Sequence, residues 1–547
     1  MIKKMFYEKA IYYYNEGIKL NKNDDNLDII LHSNLSEAYF KYQYFTKAIQ
    51  NSDYCLNKLN NLLKTDNNNN KFLIQQKTKA LYRKIKGLFS LRKFKEAYEL
   101  LFNKSKDNPN QDIINDFLKL DEIKKMIDII ISGNENSLGH YNFKKMVEEE
   151  KINFDLKNYS DYLSPKIEIK FEKGKGIKIT AKDKINQGEL ILVEKSLVFS
   201  NKRGKKRQIF DEMMNVSIIQ PSITAEIELF NNLAEKLLKA PLDNEKFYCL
   251  YDGKNLEEDI NKRRKYLDEQ ENGKKKLTKE KVNRVICNNK YGIGRYIIYF
   301  NDKCTGVWGT SSLINHDCLS NTSYFGIGDY YISFCTREIN KGEEITSNYC
   351  SSIYTYEDRN NKLLKNWGLK CTCQLCKYQE KKNEPNYNNF IKLLTNIKKE
   401  NSIDKISLRK FEEFLEKNKK KFSCYELTNG YLQLENIYFL NKDLNNVKKF
   451  SELVTKYAGE KNYLFQMTNL YTLINCISEN NLISNGIYER DLSIVRNDIQ
   501  NMLKKYTPFT DEEIEYFIED NINQAEIDFK EKNKIKNENI SLSVKLQ

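Results

Sequence analysis

Residues 313–326 read LINHDCLSNTSYFG and place His316, Asp317 and Cys318 side by side. A cysteine and a histidine two residues apart in an extended segment point to the same side of the chain, which fits a catalytic thiolate with its base. A thiolate is also a soft metal ligand. No strand-to-helix nucleophile turn surrounds the stretch, and spacing alone does not make a protease. The sequence therefore favours another role over a cysteine nucleophile.

A second cysteine cluster lies at 367–378, WGLKCTCQLCKY. Cys371, Cys373 and Cys376 fall within six residues, and a turn this short cannot bury three side chains in one apolar core. Thiolates arranged tetrahedrally around zinc are the natural account, but a structural zinc site needs four ligands. Cys318 is our candidate for the fourth ligand, because Cys335 and Cys350 lie in or at the end of strand-like runs.

Length and composition predict a soluble chain of several domains. The 547 residues allow three or four domains of roughly 100–200 residues each. The net charge of +14 arises from 90 basic residues among 76 acidic ones. Such diffuse basicity is typical of solvated surface and does not favour direct binding of nucleic acid. The densest basic runs, KRGKKR at 202–207 and KRRK at 262–265, fit either a nuclear signal or an exposed loop.

The chain carries no sign of a membrane or secretory segment. No run approaches the ~20 apolar residues of a membrane helix, and the N-terminus passes directly into an amphipathic pattern. We therefore expect an intracellular protein, cytoplasmic and/or nuclear, and a monomer. In that reducing compartment the 12 cysteines are better interpreted as thiols or metal ligands than as disulfides. The three histidines are too scattered in sequence to favour a three-histidine metal site.

The first hundred residues contain a repeat with an offset of 49 residues. A tetratricopeptide unit is about 34 residues long, and the polar insertion LLKTDNNNNKFLIQQ supplies the remaining ~15. These segments resemble tetratricopeptide repeats and predict a helical domain over 1–130 that begins inside a repeat. Such repeats either bind peptides on a concave surface or pack as scaffolding against a neighbour, and the sequence leaves both open. The repeated positions are Ala38, Phe45 and Ala48, then Gly87, Phe94 and Ala97, with Ala10 in a partial third copy.

Beyond a linker at 131–166 the pattern becomes β-rich and then helical again. Residues 167–200 alternate apolar and polar around GKGIK and NQGE turns, which predicts short strands. A charged, mostly helical passage follows at about 205–285, and strands return at 295–300 and 330–334. The segment REINKGEEITSNY (337–349) repeats the pattern of KDKINQGELIL (182–192). Residues 385–535 are helical by their spacing, so the fold class is a multidomain α+β chain.

The GKG turn at 174–176 lacks the spacing of a dinucleotide-binding or P-loop motif, and alone it indicates only a turn. Taken in order with INHDCLSN, GEEITSNY and WGLKCTCQLC, it resembles the SET-domain methyltransferases. The chain is most similar to the branch with SET-and-MYND and tetratricopeptide-SET proteins. The resemblance covers about 140–378. It implies a split SET domain at 167–352 with a helical insert at 201–286, a post-SET zinc segment at 353–378 and a C-terminal helical domain at 385–535.

The family implies an S-adenosylmethionine-dependent protein-lysine methyltransferase. Tyr349 matches its catalytic tyrosine, and Cys318 with Cys371, Cys373 and Cys376 would complete its zinc site. A protein or peptide carrying the target lysine is the implied substrate, and the helical repeats offer a place for a peptide partner. The residues implied to contact the cofactor are Lys173, Gly174, Lys175, Gly176, Asn289, Tyr291, Asn315, His316 and Leu369.

Some positions depart from the family pattern. No MYND zinc module is present, because residues 200–290 contain only Cys249 and Cys287, without a CxxC pair. Ser320 stands where NHxCxPN usually has proline, and Leu369 where an aromatic residue often covers the adenine. These departures keep a second hypothesis open, in which a catalytically weak SET fold is a zinc-stabilised interaction module.

Overall fold

The computed structural model describes residues 2–65, 70–102, 113–115, 120–174, 176–200, 223–254, 257–295, 299–350, 356–382, 405–420, 422–440, 443–458, 489–520 and 523. Helices come first, and from the first to the sixth each packs against the next along the chain. Asp24 and Asn70 cap two of them by accepting backbone N–H bonds. The N-terminal helices are α1 (Ile2–Leu20), α2 (Asp25–Tyr42), α3 (Phe45–Thr65), α4 (Lys71–Ser90), α5 (Phe94–Phe102), α6 (Asp121–Ser137) and α7 (Phe143–Ile152).

Small residues lie where these helices cross, as the repeat pattern predicts. A Cβ added to Gly87 of α4 would stand 2.6 Å from Cγ1 of Ile49 in α3. One added to Gly133 of α6 would stand 2.1 Å from Cδ2 of Phe94 in α5. Both glycines therefore permit a close approach of the helices. Helix α6 spans the boundary that the sequence places at residue 130, and the assignment of these helices as tetratricopeptide repeats stays a prediction.

The N-terminal helices pack against the insert that follows later in the chain. The carboxylate of Asp243 accepts the backbone N–H groups of Phe45 and Thr46, both at 2.8 Å, and so caps α3. The Tyr44 hydroxyl donates to Glu271 at 2.6 Å. These contacts favour scaffolding over a free binding module for this region.

The central region is built on a seven-stranded sheet with the order β1-β4-β10-β9-β6-β7-β5. Its pairs are antiparallel, apart from one parallel pairing between β6 and β9. Two smaller sheets, β2-β3 and β8-β11, lie beside it. The strands are β1 (Tyr162–Leu163), β2 (Ile167–Glu172), β3 (Gly176–Ala181), β4 (Leu190–Lys195), β5 (Val198–Ser200), β6 (Lys290–Arg295), β7 (Tyr299–Val307), β8 (Asn315–His316), β9 (Thr322–Ile327), β10 (Tyr330–Cys335) and β11 (Thr346–Ser347).

The two segments with the same sequence pattern lie against each other. Ile185 and Ile339 exchange both backbone hydrogen bonds at 3.0 Å, and Thr180 pairs with Glu344. Both isoleucines are fully buried. The repeated pattern therefore belongs to two segments that pair with each other through their backbones.

The described part of the insert is helical, as expected. It contains α8 (Ile223–Lys239), a 3-10 helix (Leu242–Cys249), α9 (Ile260–Glu271) and α10 (Lys279–Asn289). The basic run at 262–265 lies in α9, so its interpretation as a loop is wrong, although Lys262, Arg264 and Lys265 are exposed as expected. Arg263 is buried and donates to the backbone carbonyls of Glu258 and Cys249. The run at 202–207 lies outside the described residues.

The C-terminal helices pack in two different places. Helices α13 to α15 share a hydrophobic cluster with Cys318 and Cys371, whereas α16 and a helix at 511–520 pack against α7 and the main sheet. Among the described helices, none is both long and apolar enough to cross a membrane. The helices are α11 (Tyr356–Trp367), α12 (Gln374–Lys382), α13 (Lys405–Asn418), α14 (Cys424–Leu440), α15 (Leu444–Ala458) and α16 (Glu489–Tyr506).

Candidate functional site

Two short segments that are distant in sequence form the centre of the site. Asn315 and His316 of β8 pair in parallel with Thr346 and Ser347 of β11. The buried side chain of Asn321 fastens the two segments, because its amide oxygen accepts the N–H of Thr346 at 2.8 Å and its amide nitrogen donates to the carbonyl of Glu344, also at 2.8 Å. INHDCLSN and GEEITSNY, which the sequence singled out separately, are thus adjacent.

Tyr349 follows β11, and both its backbone and its hydroxyl group are fixed by hydrogen bonds. Its backbone N–H donates to Nδ1 of His316 at 3.0 Å, and its hydroxyl donates to the carbonyl of Ile314 at 2.5 Å. Its ring lies between those of His316 and Trp367, with centroids 5.3 and 5.2 Å away. Burial raises the pKa of Tyr349 well above its usual value, so the phenol is neutral at physiological pH. The hydroxyl oxygen keeps lone pairs for a further partner.

His316 holds its proton in a defined place. Burial lowers the pKa of His316 to about 4, so the ring is neutral at physiological pH. Because Nδ1 accepts from Tyr349, the ring proton resides on Nε2, which lies 3.4 Å from Sγ of Cys318. His316 therefore donates toward this sulfur and does not accept a proton from it, which excludes the base of a cysteine nucleophile.

A cavity that is partly open to solvent lies beside Tyr349. Aromatic rings form much of its wall, and the rings of Tyr324 and Tyr331 stack at 4.9 Å. The lining residues are Asn288, Asn289, Lys290, Tyr291, Ser311, Ser312, Tyr324, Tyr331, Ser347, Asn348, Tyr349 and Trp367.

Three of the residues singled out from the sequence line this cavity, namely Asn289, Tyr291 and Tyr349. The side-chain amide of Asn289 is already used, because it donates to the carbonyls of Tyr251 and Val285, each at 2.7 Å. It fastens the end of α10 instead of facing a ligand. The hydroxyl groups of Tyr291 and Ser311 form a hydrogen bond with each other in the cavity wall.

The glycine turn lies apart from this lining. Gly174 and Gly176 have φ angles of +82° and +81°, which favour glycine, and a Cβ added to Gly174 would meet nothing within 4 Å. The side-chain amide of Asn315 donates to the carbonyl of Ile177 at 3.1 Å and so joins β8 to the strand that leaves the turn. Lys175 lies outside the described residues. Of the other predicted cofactor residues, those outside the cavity lining are Lys173, Gly174, Gly176, Asn315, His316 and Leu369.

The structure brings together the four cysteines that the sequence selected. Their sulfur atoms all lie within 4.8 Å of one another, and Sγ of Cys318 is 3.8 Å from that of Cys371 and 3.6 Å from that of Cys376. Zinc–sulfur bonds of about 2.3 Å in a tetrahedron put neighbouring sulfurs about 3.8 Å apart. The donor set and spacing therefore fit a zinc ion. The residues that could hold such an ion are Cys318, Cys371, Cys373 and Cys376.

A buried arginine accompanies this cluster. Arg359 of α11 is fully buried, and its Nη2 lies 3.7 Å from Sγ of Cys376. Four thiolates around Zn²⁺ carry a net charge of −2, which is costly to bury without a nearby cation. Arg359 supplies one positive charge, a contribution that the sequence pattern did not indicate.

The positions that depart from the family pattern have local explanations. Leu369 is half-buried and packs against the cysteine cluster. Trp367, two residues earlier, supplies an aromatic wall of the cavity that sequence reasoning missed. The chain has only two tryptophans, and the position of one of them close to CTCQLC could have indicated an aromatic wall near the cysteine cluster. The hydroxyl of Ser320 donates to the carbonyl of Thr322 at 3.1 Å and so supports the turn where proline is usual.

Comparison with known proteins agrees with this arrangement. Residues 176–350 match the SET domain family. The histone-lysine N-methyltransferase SET5 of Candida albicans is 36% identical over 95 residues, which are 17% of this chain and 20% of that protein. The histone-lysine N-methyltransferase SMYD3 of Homo sapiens is 26% identical over 179 residues, 28% of this chain and 40% of that protein.

A longer match is to a protein of Gibberella zeae named methyltransferase, 23% identical over 314 residues, 54% of this chain and 41% of that protein. Each match thus spans less than half of the relative's length. The SET match contains β3, β8, β11 and Tyr349, which are the elements that form the centre of the site. This chain therefore contains a SET domain, at residues 176–350, of the kind found in proteins named lysine methyltransferases.

Proposed function

We propose that this protein transfers a methyl group from S-adenosylmethionine to the ε-amine of lysine in protein substrates. The observation that carries the proposal is the position of Tyr349, whose neutral hydroxyl is fixed on Ile314 at the wall of an aromatic cavity within the SET domain. The names of similar proteins, which include histone-lysine N-methyltransferases, support the same activity.

The cavity suits a lysine side chain that must lose its charge. S-adenosylmethionine, when bound, supplies an electrophilic methyl group on a positively charged sulfur. A free lysine has a pKa of about 10.4, and a narrow apolar environment disfavours its ammonium form. In our proposal the rings of Tyr291, Tyr324 and Trp367 exclude water, and the hydroxyl oxygen of Tyr349 orients the amine. Positioning of this kind contributes on the order of 7–11 kcal/mol in favourable cases.

We assign the cofactor to the region around β8 and the glycine turn. Asn315 and His316 would contact its polar groups through their backbone, since the side-chain nitrogens of both are engaged, and Gly174 and Gly176 would allow its close approach to the backbone. Lys173, Lys175 and Leu369 remain proposed contacts. Asn289 would act through its backbone, since its amide is engaged with Tyr251 and Val285.

The zinc site is proposed as a structural partner of this region. Cys318 lies two residues after His316, so one segment contributes to both the metal cluster and the centre of the site. We propose that the helices before the SET domain and those after it help to select the protein substrate. We propose further that the protein acts as a monomer in the cytoplasm and/or nucleus. A peptide bound by the N-terminal helices would add a further selection step.

Methyl transfer by purified full-length protein tests the proposal. Radiolabelled S-adenosylmethionine and a cell extract provide donor and substrates, and mass spectrometry identifies the methylated residues. We expect label on lysine, and a decrease of at least about tenfold for Tyr349→Phe, equivalent to about 1.4 kcal/mol. Tyr12→Phe changes an exposed tyrosine of α1 in the same way and serves as the matched control.

Two results would overturn the proposal. One is the absence of S-adenosylmethionine binding to the wild-type protein in calorimetry. The other is equal transfer by the wild-type and Tyr349→Phe proteins, which would remove the reason for assigning the reaction to this cavity.

A further inference from the structure

A buried carboxylate holds the turn that forms one wall of the cavity. Glu194 of β4 is fully buried. Its oxygens accept the N–H of Thr310 at 2.9 Å and that of Ser311 at 3.0 Å. These two N–H groups begin the 3-10 helix Ser311–Leu313, whose free donors attract a negative charge. Ser311 and Ser312 line the cavity, and β8 starts two residues after the helix.

A lysine of the insert pairs with this carboxylate. Nζ of Lys246 lies 2.7 Å from Glu194 and 2.8 Å from Asp161, so it bridges the two acids. Its aliphatic stem covers the residue before the turn, because a Cβ added to Gly309 would stand 2.6 Å from Cβ of Lys246. Charge pairing and close packing thus fix Lys246 against the same loop.

The chain of ion pairs continues into the N-terminal helices. The other oxygen of Asp161 accepts from Nη2 of Arg92 at 3.1 Å. Arg92 lies in the turn between α4 and α5 with a φ of +57°, and its Nη1 donates to the hydroxyl of Tyr330 at 2.8 Å. Positive and negative side chains alternate along this series of ion pairs, and their four charges sum to zero. Its members are Arg92, Asp161, Lys246 and Glu194.

We propose that Glu194 is a positioning residue for the cavity, and that the ion pairs through Lys246 and Asp161 to Arg92 make the N-terminal helices part of the site's support. Loss of the Lys246 cation leaves the buried carboxylate of Glu194 without its ion-pair partner, which costs more than the loss of a surface pair. Any effect of these residues on binding of the methyl donor rests on the proposed function. Their effect on the order of the turn at 310–313 does not.

Hydrogen exchange of the turn measures this directly. In the full-length protein, Glu194→Gln keeps the size of the side chain but removes its charge, and Lys246→Met removes the bridging cation. Hydrogen bonds to a charged acceptor are stronger than those to a neutral one, so we expect the amides of 310–313 to exchange at least about tenfold faster in both variants. Lys246→Arg retains the charge and is expected to restore most of the protection.

Matched controls come from a surface ion pair. Glu338 and Lys184 are more than half exposed and lie 2.7 Å apart. Glu338→Gln and Lys184→Met should leave exchange at 310–313 unchanged. Gly309→Ala provides an independent route, since it displaces the Lys246 stem without removing a charge, and it should also increase exchange there. Protection of 310–313 within twofold of wild type in Lys246→Met and Gly309→Ala would overturn the proposal, even if Glu194→Gln fails to fold.

The link to the N-terminal helices has its own measurement. Arg92→Met should increase exchange at 310–313, and its effect should be less than additive with that of Lys246→Met, because Arg92 reaches Glu194 only through Asp161 and Lys246. Additive effects would overturn this part. Calorimetry with S-adenosylmethionine then separates the two proposals. A wild-type protein that does not bind the donor contradicts the proposed function, whereas a protected turn that is indifferent to Glu194 and Lys246 contradicts this inference.

Discussion

At the scale of single residues, the segment 315–318 serves two purposes within four positions. Asn315 reaches the carbonyl of Ile177 beyond the glycine turn, whereas Cys318 is enclosed by other thiols. His316 lies between these roles, because it accepts from the backbone of Tyr349 and donates toward Cys318. Sequence alone placed a histidine and a cysteine on one side of the chain, which is correct. The partners that decide their chemistry are 30 to 60 residues away and are visible only in the fold.

Thiol reactivity should separate the cysteines by environment. Iodoacetamide at pH 8 should modify the exposed Cys287 and Cys424. Burial raises the pKa of Cys335 to about 12 and that of Cys350 to about 11, so these thiols are uncharged at pH 8 and should react slowly. Peptide mass spectrometry before and after a zinc chelator gives the readout. The thiols that we expect to become reactive only after chelation are those of Cys318, Cys371, Cys373 and Cys376.

Two outcomes of this labelling would count against the assignment. Modification of Cys318 without chelator at the rate of Cys287 would contradict metal ligation. Labelling that does not change on chelation would contradict it too, provided that the protein is shown by its zinc content to have lost the metal.

At the scale of elements, local patterns predicted some of the strands. The strand predicted at 295–300 instead falls where β6 ends and β7 begins, and residues 296–298 lie outside the described residues. Alternation over 167–200 anticipates β2 to β5, and YYISF anticipates β10. Alternation records which face of a strand is buried, and that information is local. The pairing of Ile185 with Ile339 joins segments more than 150 residues apart, and only the similarity of their patterns hinted at it. The KRRK run was misjudged because charge alone does not reveal that Arg263 satisfies two backbone carbonyls inside α9.

Helix α3 depends on a cap supplied from a distant part of the chain. Asp243→Ala removes the acceptor of the Phe45 and Thr46 N–H groups, and loss of a helix cap costs about 0.5–2 kcal/mol. We expect a lower melting temperature together with faster hydrogen exchange at 44–48. Asp259→Ala is the matched control, since Asp259 caps its own helix α9 by accepting from Lys262 at 2.8 Å. Equal exchange at 44–48 in the two variants would show that the contact does not hold α3 against the insert.

At the scale of the whole molecule, the site is assembled from parts that sequence could not combine. Tyr349 and the four cysteines were predictable, because short motifs carry them. The cavity was not, because its walls come from the end of α10, from β6, β9 and β10, from the turn at 311–312 and from α11. Each contributes one or two ordinary residues, such as Ser311 or Trp367, that have no motif of their own. Their significance arises from packing, and packing is a property of the complete chain.

The cysteine cluster should stabilise the helices that follow it. Cys318, Cys371 and Cys376 belong to one hydrophobic cluster with residues of α13 to α15, including Phe411, Tyr431 and Phe450. Structural zinc sites contribute directly to folding free energy, so removal of the metal should loosen these neighbours. We expect chelator, or the variant Cys318→Ser, to lower the zinc content and to increase hydrogen exchange within α13 to α15 by at least about tenfold.

Helices α2 to α4 form a separate cluster and should keep their protection, which makes them an internal reference. Cys287→Ser changes an exposed cysteine and should alter neither quantity. Full zinc content in Cys318→Ser would reject Cys318 as the fourth ligand, and unchanged exchange in α13 to α15 after verified zinc loss would show that these helices stand without the metal.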